Sequence, residues 1–190
     1  MLISKFGNND DLSNVESFEA KYNIKLPEQY RTFLSRYNGG FTPETTFKIR
    51  KVSSDIKGFY GIGVNVENLD FSFLEKIHVL KEYLEVGFLP IGTNSFGDYI
   101  LIGLNDSNHG KVFFTYHDRP KGYTEISVDF EHFVTECKSL TIKPARSIEE
   151  RRASMIAKGR ESAITSQLIE IWQEEIDEKS SIKQEIVKLS

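Results

Sequence analysis

The segment Leu26-Pro27-x-x-Tyr30-x-x-Phe33-Leu34-x-x-Tyr37-Asn38-Gly39-Gly40 constrains this chain more than any other stretch of it. Pro27 suits the first position of a helix, where a missing N–H leaves nothing unsatisfied. Tyr30, Phe33, Leu34 and Tyr37 follow at three- and four-residue steps and share one helical face. Asn38-Gly39-Gly40 then supplies residues that tolerate the left-handed backbone of a helix C-terminus. A helix this short does not stand alone in water, so its aromatic face must pack against other elements.

The neighbouring segments supply them. Leu12, Val15, Phe18 and Tyr22 repeat at helical spacing, with Asp10 and Asp11 as candidate caps. Thr46 to Arg50 and Lys57 to Val64 read as strands, the second interrupted by Gly58, Gly61 and Gly63, which imply a bulge or close backbone approach. Phe71 to Leu84 returns to helical period. Phe88 to Gly92 is a short extended run, and Thr93-Asn94-Ser95-Phe96-Gly97-Asp98 is a turn cluster. Tyr99 to Leu104 and Lys111 to Tyr116 read as a hairpin through residues 105–110, and Ser127 or Asp129 can cap a helix from Phe130 to Leu140. Helices, then closely connected strands, then a helix is an α+β order, and the short turns imply a mostly antiparallel sheet with packed helices.

From about Arg146 the character changes. Trp172 is the last aromatic residue and Gly159 the last glycine. Ile148, Met155 or Ile156, Ile164, Leu168, Ile171 or Trp172, and Ile176 make a thin apolar stripe on a charged helix, and Ile182, Ile186 and Leu189 continue it after Ser180-Ser181. The expected organisation is a domain over residues 1–145 and a long C-terminal helical extension over 146–190. That extension either folds back onto its own core or docks elsewhere, as in a homodimer formed through the C-terminal helix. Gly159 weakens the helix by about 1 kcal/mol relative to Ala and marks a bend.

Bulk properties narrow the function. Formal net charge is −4, so general attraction to polyanions is weak and direct nucleic-acid binding is not expected. A mild negative charge favours a basic protein partner instead. Cys137 is the only cysteine and lies in an apolar-periodic stretch, which fits a packed thiol in a reducing compartment. No stretch approaches the roughly 20 apolar residues of a membrane span, and the N-terminal residues lack a signal-peptide core. A cytoplasmic location with no membrane partner is the expectation.

Catalytic signatures are missing. The sequence has no P-loop, no G-x-S-x-G and no H-E-x-x-H. His78, His109, His117 and His132 show no zinc-ligand spacing. His117 with Asp118 could form a base and its orienting acid, but such a pair is more often a polar hairpin end. Asn94, Asp98 and Asp106 could ligate a cation, yet lack an EF-hand pattern and read better as turn residues. The expected protein is not an enzyme and needs no cofactor or metal.

Three blocks carry a family resemblance. Leu26, Pro27, Tyr30, Phe33, Asn38, Gly39 and Gly40 resemble the opening signature of the SUKH superfamily, the Smi/Knr-type domain. Phe88-Leu89-Pro90-Ile91-Gly92 followed by Phe96-Gly97-Asp98-Tyr99 is similar to its central motif. Gly110-Lys111-Val112-Phe113-Phe114 with His117-Asp118 is similar to the segment after it. The resemblance spans about residues 10–140 and leaves the C-terminal arm unexplained. It implies an α+β fold and, in bacteria, an immunity protein that binds and neutralises a polymorphic or contact-dependent toxin, very often a nuclease. A regulatory scaffold is the alternative, since eukaryotic members act so. Partner-binding candidates are the carboxylates Glu44, Asp98, Asp106 and Asp118, all in expected loops, with His117 and the aromatics Tyr60, Tyr99 and Tyr116. Pro90, Gly92, Gly97 and the opening-signature residues are expected to serve the fold.

Overall fold

The computed structural model describes residues 1–6, 12–64, 74, 77–119 and 122–189. Strand β1 (Leu2–Ile3) precedes helices α1 (Leu12–Tyr22) and α2 (Glu28–Tyr37). The aromatic face predicted for α2 is the buried one, with Tyr30, Phe33, Leu34 and Tyr37 all inside. Pro27 stands one residue before the helix, at its N-cap position. Asn38 turns left-handed at φ 46°, and its N–H bonds Leu34 O at 2.9 Å. Asp10 and Asp11 lie outside the described residues.

The middle of the chain builds a sheet. After β2 (Gly40–Ile49) and β3 (Val52–Phe59) come α3 (Leu80–Glu85), β4 (Phe88–Thr93), β5 (Tyr99–Gly103), β6 (Val112–Thr115) and β7 (Thr124–Ser127). Helix α4 (Phe130–Glu136) and β8 (Lys138–Ser139) follow. The seven strands lie in the order β7-β6-β5-β4-β3-β2-β8, every pairing antiparallel. The fold is α+β.

Several boundaries differ from the sequence reading. The strands predicted at 46–50 and 57–64 are instead one hairpin over 40–59. Its tight turn uses Arg50 at φ 53° with Lys51, where a glycine or asparagine would have announced it. Ser53, Ser54 and Asp55 lower strand propensity locally, but pairing with Phe47, Lys48 and Thr46 holds them extended. The helix predicted to reach Leu140 stops at Glu136, because Cys137 is extended (φ −71°, ψ 133°) and Lys138–Ser139 pair with β2. Asp129 is its cap, accepting from His132 N at 2.7 Å. Of the helix expected over 71–84, residues 71–73 and 75–76 lie outside the described ones, and α3 starts at Leu80.

One face of the sheet carries the main core. Phe33 sits 5.3 Å from Phe59 and 5.2 Å from Phe130, ring centroid to centroid, so α2 and α4 meet over β3. Phe47 joins Phe133 at 5.5 Å. Such tilted and edge-on pairs add about 0.5–1.5 kcal/mol each beyond the area they bury. The close approach of backbone segments here needs glycine: a Cβ on Gly39 would fall 2.6 Å from Gly61 N. Asn38 locks that contact, donating to Ile62 O at 3.0 Å and accepting from Ile62 N at 2.8 Å. Cys137 is buried, and burial pushes its thiol up to about 12.

The opposite face is covered only in part. Over β4 and β5, Tyr83 of α3, Phe88, Leu101 and Tyr123 form a second apolar cluster. Over the β2–β3 hairpin the corresponding positions Thr46, Lys48, Ser53 and Lys57 are exposed.

The last residues do not continue the helical stripe. Glu185–Ile186 form β9, antiparallel to β1 with Leu2 opposite Ile186. Val187 is buried, and its neighbour Lys188 donates its N–H to the Tyr37 hydroxyl at 2.8 Å. Two β-branched residues satisfy an edge strand better than one more helical turn. Residues 1–140 and 184–190 thus form one compact unit, and 141–183 a second.

The second unit is a helical hairpin. Ser147 and Glu150 make a reciprocal capping box for α5 (Ile148–Ala157). Gly159 at φ 68° ends that helix, a short 3₁₀ turn over Glu161–Ala163 follows, and Thr165 caps α6 (Ser166–Ser181). The Arg151 guanidinium lies 5.8 Å from the Trp172 ring and 2.6 Å from a Glu175 carboxylate oxygen, tying the two helices.

Candidate functional site

Strands β3 and β4 pair at only two positions, Gly58 with Thr93 and Phe59 with Gly92. Beyond them Ser53–Asp55 depart from β4, and the turn from β4 to β5 bridges the split. Asn94 organises that turn. Its Oδ1 accepts from Phe96 N at 2.9 Å and Asp98 N at 2.8 Å, while its Nδ2 donates to Asp98 Oδ2 and to Ser54 Oγ, both at 2.9 Å. Ser95 donates its N–H and hydroxyl to Asp55 Oδ2. Gly97 supplies φ 84° with open space around it, so backbone freedom alone selects glycine there.

This bonding holds Phe96 at the tip of the turn, 75% exposed. Beside it the chain leaving β6 brings Tyr116, His117 and Asp118. Asp98 is buried, and its Oδ1 accepts from His117 N at 2.9 Å and meets His117 Nδ1 at 2.8 Å. Burial would raise the Asp98 carboxyl, but the His117 N–H, the His117 ring and the Asn94 amide together hold it below the ordinary value. Ser53, Ser54, Phe96, Phe114, Tyr116 and Asp118 line an open groove of about 320 Å³. A wider groove of about 710 Å³ lies along Phe41–Thr46, with Glu44, Asp55, Ser95 and the exposed Leu140 in its wall.

The sequence candidates divide accordingly. Asp98, Tyr116, His117 and Asp118 come together. Glu44 stands at the β2 irregularity with φ 52° and faces the wider groove. Tyr60 is buried, and burial raises its hydroxyl far above the ordinary value. Tyr99 is half-buried, its ring edge-on to Tyr83 at 5.6 Å. Asp106 sits in the β5–β6 turn, at the other end of β5 from Asp98, as does His109. Sequence reasoning read Asn94 as a turn residue, as the structure has it, and named Phe96 only within the turn and the central motif, while Asp55 was missed. A phenylalanine inside an otherwise polar turn was the available signal for Phe96, while Asp55 had none.

The exposed Phe96 thus stands among carboxylates, hydroxyls and a histidine on an α+β scaffold. Among the described residues no helix is long and apolar enough to cross a membrane.

The chain belongs to the SMI1/KNR4 family (SUKH-1), which matches residues 11–136 and includes immunity proteins. It is also similar to the uncharacterized protein YobM of Bacillus subtilis (strain 168), 25% identical over 124 residues. That match takes in 65% of this chain and 62% of YobM, so the chain spans less than two thirds of its relative's length.

Proposed function

We propose that this protein is a non-catalytic immunity protein that binds and neutralises a cognate polymorphic or contact-dependent toxin, a nuclease, in the bacterial cytosol. The observation that carries the reading is Phe96, exposed at the tip of a turn whose every polar arm is bonded, in a chain of a family that includes immunity proteins. A neutraliser needs affinity and no turnover. A preorganised aromatic anchor supplies affinity because little is left to order on binding. Asp118 lines the groove beside Phe96 and Glu44 the wider groove that Ser95 borders, both suited to a basic nucleic-acid-binding partner, where they would speed association. Asp98 acts behind them by fixing His117.

The tagged chain recovered from its native cells, with its stoichiometric partner identified and co-expressed in a sensitive host, tests the reading. Recovery of a basic toxin domain, with growth rescued by the wild-type chain and lost with Phe96→Ala, is the expected result. Recovery of housekeeping or signalling proteins with no rescue of toxin-treated cells would replace it with the scaffold reading.

A further inference from the structure

The helical hairpin of residues 141–183 is built differently from the rest of the chain. Trp172 is its one buried large apolar residue among those described. Ile148, Met155, Leu168, Ile169 and Ile176 are only half-buried, while Ile156 and Ile171 are 51% and 44% exposed. A unit this small rarely holds its fold through such a core, and association is a common remedy below about 70 residues.

Its charges are sorted along the chain: α5 itself is balanced by Glu149, Glu150, Arg151 and Arg152, and the basic excess lies on either side of it. Residues 143–160 carry Lys143, Arg146, Arg151, Arg152, Lys158 and Arg160 against Glu149 and Glu150. Residues 161–181 carry Glu161, Glu170, Glu174, Glu175, Asp177 and Glu178 against the single cation Lys179. Arg151 and Glu175 meet within the hairpin, whereas Arg152, Lys158, Arg160, Glu170, Glu174 and Glu178 are exposed. A surface with a basic half and an acidic half is complementary to its own image under a two-fold axis, since each half then faces its opposite. Exposed ion pairs are weak singly, but several in register over an apolar seam set orientation and partner choice.

We propose that residues 148–181 are a self-association surface, its occupant the same hairpin of a second copy, the segment from Arg152 to Arg160 of one protomer against the acidic α6 of the other. This inference is independent of the toxin-binding reading. It leaves the turn around Phe96, which belongs to the other unit, as a separate site on each protomer.

Sedimentation equilibrium of the full chain tests it. At low salt a dimer is expected to form between about 1 and about 100 μM and to weaken as salt rises. The triple variant Arg152→Glu, Lys158→Glu, Arg160→Glu takes residues 143–160 from net +4 to net −2. The triple variant Glu170→Lys, Glu174→Lys, Glu178→Lys takes residues 161–181 from net −5 to net +1. Each alone should dissociate at least about tenfold more readily, and the two mixed should form a one-to-one heterodimer. That rescue requires both chains to be folded, so it separates lost pairing from lost structure. Ile156→Asp, at an exposed position, should weaken the dimer without changing the helical circular dichroism. A wild-type chain that stays monomeric throughout overturns the proposal. So does a dimer indifferent to all three variants, or a mixture of the triple variants that stays apart.

Discussion

The two halves of the sheet bury their outward faces differently. In β5, Ile100 and Ile102 join the main core while Leu101 joins the second cluster with Tyr83 and Phe88, so the strand is apolar along its length. In the β2–β3 hairpin, Phe47, Ile49, Val52 and Ile56 face the same core, but Thr46, Lys48, Ser53 and Lys57 face water. A strand covered on both sides has no freedom to recognise anything. The half left uncovered on one side can do so, and the split between β3 and β4 gives it edges and grooves. The candidate site falls where the two regimes meet.

That contrast can be broken by substitution. The largest effect is expected at the shared core, where Phe33→Ala removes the ring that joins α2, β3 and α4. A loss of about 3–5 kcal/mol in urea unfolding is expected, and a loss under 1 would mean the aromatic cluster is not the organising core. Leu101→Ala should cost about 2–5 kcal/mol, whereas Lys48→Ala, also turned from the main core, should stay within about 0.5. Equal effects at the two positions would erase the distinction between the halves.

At the site, stability and binding should separate. Phe96→Ala should leave unfolding unchanged within about 0.5 kcal/mol and weaken partner binding by about 2 kcal/mol or more in calorimetry. Asn94→Ala should do both, costing about 1–3 kcal/mol of stability, because it orphans the Phe96 and Asp98 N–H groups. A stable Asn94→Ala variant with full affinity would show that the turn is not preorganised by that side chain.

The smallest effect is in pH. The folded-state value of Asp98 is depressed, so the unfolded chain binds more protons across the acid range. Its contribution is therefore complete above the ordinary aspartate value of about 4 and fades as pH falls through the lower folded value. Asp98→Asn should flatten the acid limb of stability against pH relative to wild type. An unchanged limb would mean the His117 and Asn94 bonds do not persist in solution.

Most of the α+β framework was legible in the residues, because periodicity and special backbone positions act locally. The α2 face, the stop at Asn38 and the β5–β6 hairpin all follow from spacing and turn chemistry within about a dozen residues. The β2–β3 hairpin was less legible, since its turn uses Arg50 and its outward residues carry no apolar signal. The site was legible only in pieces. Asp98, His117 and Asp118 were named, but Asp106 could not be separated from them along the chain, and Phe96 was read only as part of the turn and of the central motif.

What the sequence determined by itself was the α2 helix with its stop, the β5–β6 hairpin and the helical character of most of 148–181, because those preferences are settled within a few residues. Only the tertiary structure decided which strand faces are covered, that β3 and β4 part after two residue pairs, and that 184–189 return to pair with β1. Those outcomes depend on contacts between residues tens to more than a hundred positions apart, as between Asp55 and Ser95 or Tyr37 and Lys188. Local propensity carries no record of such partners.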